Sequence, residues 1–390
     1  MNEGKKSLSS TEALMTEEFN LREGLIYLNH AGVAPWPVRT AKAVQHFAEE
    51  NMREGSFHYP KWVAVETKLR TQAQCLLNSP SKDDIALLKN TSEALSVVAY
   101  GLEWKSGDNI VSSNQEFPSN RIVWQSLASQ GVEFREADLN RGPSPEAAIF
   151  EAVDNRTRLI TISSVQFSTG LRMDLRRIGE FCRKRGILFC VDAIQSIGAV
   201  AFDVQEIQAD FVMADGHKWM LGPEGLALFY CCADARDRLR LNQYGWHMVE
   251  EIGDFDRRDW RSAGSARRFE CGSPNMLGIH ALAASLSLLL EVGIQEVERR
   301  VTERSASLFE RLASLPRLQL VTPTQRGRFA GIVTFTVDND DPAALYHHLT
   351  TRGVVCALRG GGIRLSPHFY TPFDQLERVI ALISGYLAQR

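Results

Sequence analysis

The tightest restriction on this chain is a repeated order of short apolar runs and amphipathic segments through its first half. Residues 84–88, 108–112, 131–135, 158–164, 186–191 and 211–214 read as strands, most of them nearly continuous in apolar side chains. Between them, residues 91–101, a segment carrying Trp124, and residues 145–153 and 175–185 have helical spacing. Apolar strands alternating with helices predict an α/β fold, a large and mostly parallel sheet with helices on both faces. In such sheets ligands collect beyond the carboxyl ends of the strands. Polar clusters follow residues 89, 114, 165, 191 and 214, all of them strand ends, and together they predict one composite site.

One of these ends differs from the others. Phe211-Val212-Met213-Ala214 runs into Asp215-Gly216-His217-Lys218-Trp219, followed by Gly222-Pro223 and Gly225. Lysines ordinarily occupy solvated helix faces. At the mouth of a buried strand, in an aromatic and glycine-rich turn, a lysine can be desolvated and act as a nucleophilic amine. That chemistry suits a Schiff base with an aldehyde cofactor, although the stretch alone also reads as an ordinary strand end. Asp192 closes another buried strand, with Gln195 three residues on. A carboxylate there is costly unless it meets a buried cation. The protonated ring nitrogen of pyridoxal phosphate is such a cation, and Gln195 could donate to the ring's phenolic oxygen. A cap or turn role is the plainer alternative for Asp192. Phe117, at a third end, suits either stacking on the ring or the core. Asn90-Thr91-Ser92-Glu93 opens a helix directly after a strand, where free N–H groups and the helix dipole favour a phosphate.

With 390 residues, 44% of them apolar, the chain can bury a large core. Its leading residues 1–24 are polar with a weak helical pattern, followed by a strand at 25–28 and helices at 40–53 and 61–77. Helices at 276–290 and 296–315 lead into strands at 318–321, 330–337, 353–357 and 363–366 and helices at 342–351 and 373–388. The expected division is a large domain at 25–290 and a small α+β domain from 1–24 and 291–390. A formal charge of −3 argues against a nucleic-acid or anionic-membrane partner. No apolar stretch reaches spanning length, and the first dozen residues lack a signal-peptide pattern, so a cytoplasmic protein is expected. The seven cysteines show no C-x-x-C spacing and several lie in apolar runs, where a thiol behaves as a small hydrophobe.

Asp192-Ala193-Ile194-Gln195 followed by Asp215-Gly216-His217-Lys218 resembles the class V aminotransferases, the cysteine desulfurase-like group of fold-type I pyridoxal-phosphate enzymes. The likeness continues through Tyr27-Leu28-Asn29-His30-Ala31-Gly32, Asn90-Thr91-Ser92-Glu93, Glu116-Phe117-Pro118-Ser119-Asn120, Phe269-Glu270-Cys271-Gly272-Ser273-Pro274-Asn275 and Gly362-Ile363-Arg364-Leu365-Ser366. What it implies is specific. Lys218 would hold the cofactor and shuttle the α-proton, Asp192 would pair with the pyridine nitrogen, and Gln195 with the phenolic oxygen. Thr91, Ser92 and His217 would sit at the phosphate, and Ser273 would reach a phosphate across a homodimer interface. Arg364 would clamp the carboxylate of a small amino acid, with Asn29, His30 and Ala31 bordering the pocket and Trp246 and His247 near it.

Some positions depart from the pattern. Phe117 stands where desulfurases usually stack a histidine, as in kynureninase-like members. Asp215 replaces a Ser or Thr that faces the phosphate in many relatives, so it is expected to turn away or bond elsewhere. Ser168 stands where relatives often carry Asn. A persulfide-forming enzyme needs a mobile loop presenting a low-pKa cysteine. Cys356 instead lies in the apolar run Val354–Ala357, with no room before Arg364 for such a loop. Transamination is the leading expectation, and β-elimination by a C–S lyase without a persulfide cysteine is the alternative. Epimerisation and a non-enzymatic cofactor-binding scaffold follow. No Gly-x-Gly-x-x-Gly turn and no Gly-x-Ser-x-Gly elbow is present.

Overall fold

The structure, a computed structural model, describes residues 3–389. Helix α1 (Glu3–Glu18) precedes a short strand, β1 (Ile26–Tyr27), and two helices, α2 (Val38–Glu54) and α3 (Tyr59–Leu77). Strands and helices then alternate as β2 (Ile85–Leu88), α4 (Thr91–Gly101), β3 (Asn109–Ser113), α5 (Ser119–Gln125), β4 (Glu133–Ala137), α6 (Pro145–Glu151) and β5 (Thr157–Ser163). There follow α7 (Leu175–Arg185), β6 (Leu188–Asp192), β7 (Phe211–Asp215), β8 (Ala227–Cys231) and the short α8 (Ala233–Arg236). Local chemistry sets these boundaries. The side chains of Asn90, Ser144 and Asp174 accept from backbone N–H groups in the first turns of α4, α6 and α7, and left-handed Gly186 stops α7.

The central sheet has the order β2-β8-β7-β6-β5-β3-β4. Only β8 runs against its neighbours, being antiparallel to both β2 and β7, so the other six strands point one way. Their carboxyl ends therefore share one edge. Strands β2, β3, β6 and β8 are buried along their whole length, which is why they read as unbroken apolar runs. Alternate side chains of one strand feed two different cores. Val212 and Ala214 pack with Leu69, Ile279 and Leu282, and Phe211 and Met213 pack with Val98, Trp124 and Leu127.

Two long helices, α9 (Met276–Val292) and α10 (Ile294–Ala313), lead to the second layer. It comprises β9 (Leu318–Leu320), β10 (Val333–Val337), α11 (Pro342–Thr350), β11 (Val354–Val355), β12 (Ala357–Arg359), β13 (Gly362–Leu365) and α12 (Phe373–Leu387). Its antiparallel sheet has the order β12-β13-β10-β9. The single strand expected at 353–357 is two strands with different partners. Strand β11 pairs in parallel with β1, β12 pairs with β13, and Cys356 marks the change, buried at 4% exposure. A tight turn at Gly360-Gly361, both with positive φ, closes β12 onto β13.

The segment from β1 onward is stitched to both layers. Leu28 donates its N–H to Val355 O at 2.8 Å and accepts from Ser366 N at 2.8 Å, and Ala34 N donates to His217 O at 2.8 Å. Ile26 and Leu28 pack in the core of the smaller sheet. In α1, Glu18 pairs with Arg39 of α2 at 2.7 Å.

Candidate active site

Lys218 lies in a turn that the backbone holds shut. Gly216 N donates to Leu226 O, Gly222 N to Gly216 O, and Leu221 N to Lys218 O, at 2.8–3.0 Å. Leu221 is left-handed, with φ of 60°, a conformation that costs a leucine about 1–2 kcal/mol. Buried Ser285 of α9 anchors it by donating to its carbonyl at 2.9 Å. A Cβ at Gly222 would stand 2.6 Å from Leu282 Cδ1, so any larger residue there would force that side chain of α9 to move. Burial lowers the Lys218 ammonium to about 8, with Arg364 pushing the same way and Asp192 opposing. A usable fraction of neutral amine is thus present near neutral pH. Its Nζ lies 5.7 Å from the centroid of the Phe117 ring, which meets Phe167 edge to face.

Asp192 ends β6 at 2% exposure. Burial raises its carboxyl to about 7, although the Ile194 N–H, 3.1 Å from Oδ1, pulls downward. No cation lies within ion-pair distance among the described residues. Gln195 is fixed on both sides. Its Nε2 donates to Ala31 O at 3.1 Å, and its Oε1 accepts from the buried Trp219 indole at 2.8 Å. One hydrogen of Nε2 is thus committed to the protein, leaving one to offer a ligand.

The first turn of α4 meets the end of β7 across β8. Thr91 is 4% exposed and its Oγ1 has no hydrogen-bond partner. Its backbone N–H donates to Asp215 Oδ1 at 2.6 Å. Ser92 Oγ donates to Ser119 Oγ at 2.8 Å. His217 Nδ1 is buried without a hydrogen bond, 3.6 Å from Asp215 Oδ2, and burial depresses the ring to about 4, so it is neutral. Asp215, expected to turn away or bond elsewhere, is bonded into this helix start.

Arg364 reaches the same edge from β13. It is 4% exposed, donates to Phe167 O at 2.8 Å and Asn29 Oδ1 at 3.3 Å, and leaves Nε without an acceptor. No described carboxylate pairs with it, and burial lowers it to about 10. The Ser168 carbonyl accepts from Thr334, helping to seat the small sheet.

The rings of His30 and His247 are taken up by other networks, whereas Ser273, expected to serve a partner protomer, lies on the surface. The His30 ring is fully buried and saturated, with Nδ1–H donating to Ser366 O at 2.8 Å and Nε2 accepting from Tyr370 OH at 2.7 Å. It shapes the site through its neighbours, since Ala31 N–H is held by Ser366 Oγ at 3.0 Å. His247 turns toward Glu270, 3.8 Å away, in a buried cluster where Arg70 pairs with Glu66 and Glu270. Ser273 is exposed.

Sequence reading passed over Glu116. Its buried carboxylate accepts from Ser113 Oγ, Asn120 Nδ2, Ser163 N and Oγ, and Gln166 Nε2, tying together the ends of β3 and β5 and the start of α5. Like Asp192, Glu116 is a carboxylate just beyond a buried strand, and such a group needs partners.

The unmatched groups fit pyridoxal phosphate. Among the described residues Asp192 lacks a cation, Lys218 is a desolvated amine, and Thr91 Oγ1 and His217 Nδ1 have no hydrogen-bond partner beside a helix start. Comparison with known proteins agrees. The Aminotransferase class-V family pattern matches residues 26–378. The chain belongs to that family. A probable cysteine desulfurase of Methanothermobacter thermautotrophicus is 29% identical over 376 residues, covering 90% of this chain and 92% of its own. An apo cysteine desulfurase from Thermococcus onnurineus superposes with a TM-score of 0.86 at 21% identity, covering 96% and 98% of the two chains. The cystine C-S lyase C-DES, solved with its product cysteine persulfide, gives 0.84 at 23% identity over 92% and 97%. These structural likenesses establish the fold-type I architecture. This class-V protein is therefore a pyridoxal-phosphate-dependent enzyme that acts on an amino acid.

Proposed function

We propose that this class-V enzyme is an aminotransferase for a small amino acid. The observation that carries the reading is Arg364, a guanidinium taken out of water with no carboxylate of its own. A buried cation without a counter-ion is costly, and a bidentate α-carboxylate would relieve that cost. Asn29 accepts one guanidinium hydrogen and so sets the fork's orientation.

The geometry supports the other roles. Lys218 would hold the cofactor's aldehyde carbon, Asp192 the ring nitrogen, and Gln195 the phenolic oxygen, with Phe117 on the ring face. Thr91, Ser92 and His217 would hold the phosphate. Bound there, the cofactor supplies an electron sink for the pair left when a bond at Cα breaks. Lys218 Nζ takes the proton from Cα and returns it, a task matched to an amine depressed to about 8. Asp192, costly as an isolated anion, keeps a proton on its partner nitrogen.

A second copy is proposed to complete the site. Tyr244, Trp246, Phe255 and Trp260 are exposed around a cavity of about 390 Å³, a cluster of rings suited to a protein partner. Exposed Ser273 would reach the phosphate of the partner protomer. The free thiols suit a reducing cytoplasm.

Cys356 stands against a persulfide route. Burial raises its thiol to about 12, and the β12–β13 turn replaces any long loop. β-Elimination is the second reading, favoured by the likeness to a cystine C-S lyase. An amino-acid panel assayed with and without a keto-acid acceptor separates the two. Acceptor-dependent turnover with formation of pyridoxamine phosphate is expected, whereas pyruvate and sulfur release from one substrate alone would replace transamination by elimination.

A further inference from the structure

Helix α4 already has a cap, because Asn90 Oδ1 accepts from Glu93 N at 2.8 Å. Asp215 does something separate. From the end of β7 it reaches across β8 and accepts the Thr91 N–H at 2.6 Å, beside the unpartnered Thr91 Oγ1 and His217 Nδ1. A carboxylate on a helix-start N–H, with the Thr91 hydroxyl and His217 Nδ1 beside it, occupies the place of an anion.

We propose that Asp215 is a built-in competitor for the cofactor's phosphate, so that its negative charge weakens cofactor retention and phosphate binds best when this carboxyl is protonated. The inference rests on the phosphate assignment made above for Thr91, Ser92 and His217. Two like charges a few ångströms apart in a water-poor site cannot both be held without loss of affinity. The surroundings of Asp215 are mixed. The N–H of Thr91, Lys218 and the Thr91 hydroxyl favour its charge, while Asp192 on β6, Glu224 beyond the turn, and above all burial oppose it. His217 is neutral and adds no compensating charge. Asp215 thus holds its proton to a higher pH than an ordinary aspartate, and competition sets in as the pH rises past that point.

The test uses the full-length chain freed of cofactor and titrated with pyridoxine 5′-phosphate, which has no aldehyde and cannot react with Lys218. Unphosphorylated pyridoxine is the control. Asp215→Asn keeps the shape and the acceptor for Thr91 N–H but removes the charge. Asp215→Ser serves if the amide variant folds poorly. At about pH 8, Asp215→Asn is expected to bind the phosphate ester about tenfold or more tightly than the native chain. The gap should close as the pH falls through the carboxylate range. Lys218 and Asp192 also feel the Asp215 charge, so their altered titration is read from the unphosphorylated pyridoxine control and divided out. Pyridoxine should differ far less between the two proteins. Equal or weaker binding of the phosphate ester by both neutral variants at every pH would overturn the proposal. Failure of the ester to bind any of the proteins would instead overturn the phosphate assignment itself.

Discussion

Arg70 and Arg364 are both withdrawn from water, and they meet opposite surroundings. Arg70 donates to Glu66, to both oxygens of Glu270 and to Ile85 O, all at 2.6–2.7 Å. Burial disfavours its charge, but Glu270 and Glu66 more than offset that and hold the guanidinium above its ordinary range. Arg364 is likewise buried and, among the described residues, meets only a backbone carbonyl and an amide oxygen. The first is saturated and belongs to the scaffold. The second is left wanting an anion and belongs to the chemistry. The same division separates Glu116, ringed by donors, from Asp192, which has one N–H and no cation. Unmet need in a buried polar group is what distinguishes the site from its support.

Substitutions can break that distinction. The largest effect is expected at Lys218. Lys218→Ala should lower turnover about a thousandfold or more and abolish the borohydride-fixed cofactor adduct seen by mass spectrometry, with little change in the unfolding midpoint. Next, Arg364→Ala should reduce kcat/KM for α-amino acids about 10²–10³-fold without loss of stability. An unaltered kcat/KM would remove it from the site. Arg70→Ala reverses the pattern. It strands two buried carboxylates, should destabilise the protein by about 3–5 kcal/mol in denaturant titrations, and should leave kcat per folded molecule nearly unchanged.

Smaller effects sharpen the contrast. Capture of pyridoxal phosphate by the cofactor-free chain needs the neutral amine of Lys218. With unphosphorylated pyridoxal as the aldehyde, which escapes the Asp215 effect, the native chain's rate should rise about tenfold per pH unit below about 8 and level off above. A plateau reached only near the ordinary lysine range would show that Lys218 is not desolvated. Cys356→Ser should change turnover less than about twofold, because its thiol is buried and takes no part; loss of activity would restore a persulfide route.

Much of this division could be read in the sequence. The alternation of strands and helices gave the sheet direction, and helix α7 coincides with the reading at 175–185, because its amphipathic face, Asp174 cap and Gly186 stop all agree. The strand-end clusters identified the edge on which Thr91, Asp192, Asp215 and Lys218 meet. What escaped were pairings between distant segments. His30 carries no local sign that Ser366 and Tyr370 will take both its nitrogens. The apolar run at 353–357 gives no hint that its two ends serve different sheets, since periodicity reports burial and not partner. Arg70 looked like any helix arginine until Glu270, 200 positions away, closed on it.

The strap from Ile26 to Ala34 has a practical consequence. It carries Asn29, which orients the substrate-facing guanidinium, and Ala31, which fixes Gln195, yet it lies far along the chain from Lys218. Shortening the protein from its amino terminus past Ala34 would therefore take Asn29 from the guanidinium, Ala31 from Gln195 and Ala34 from the His217 carbonyl, so that the grip on what is to be converted and the seat of the vitamin would loosen together.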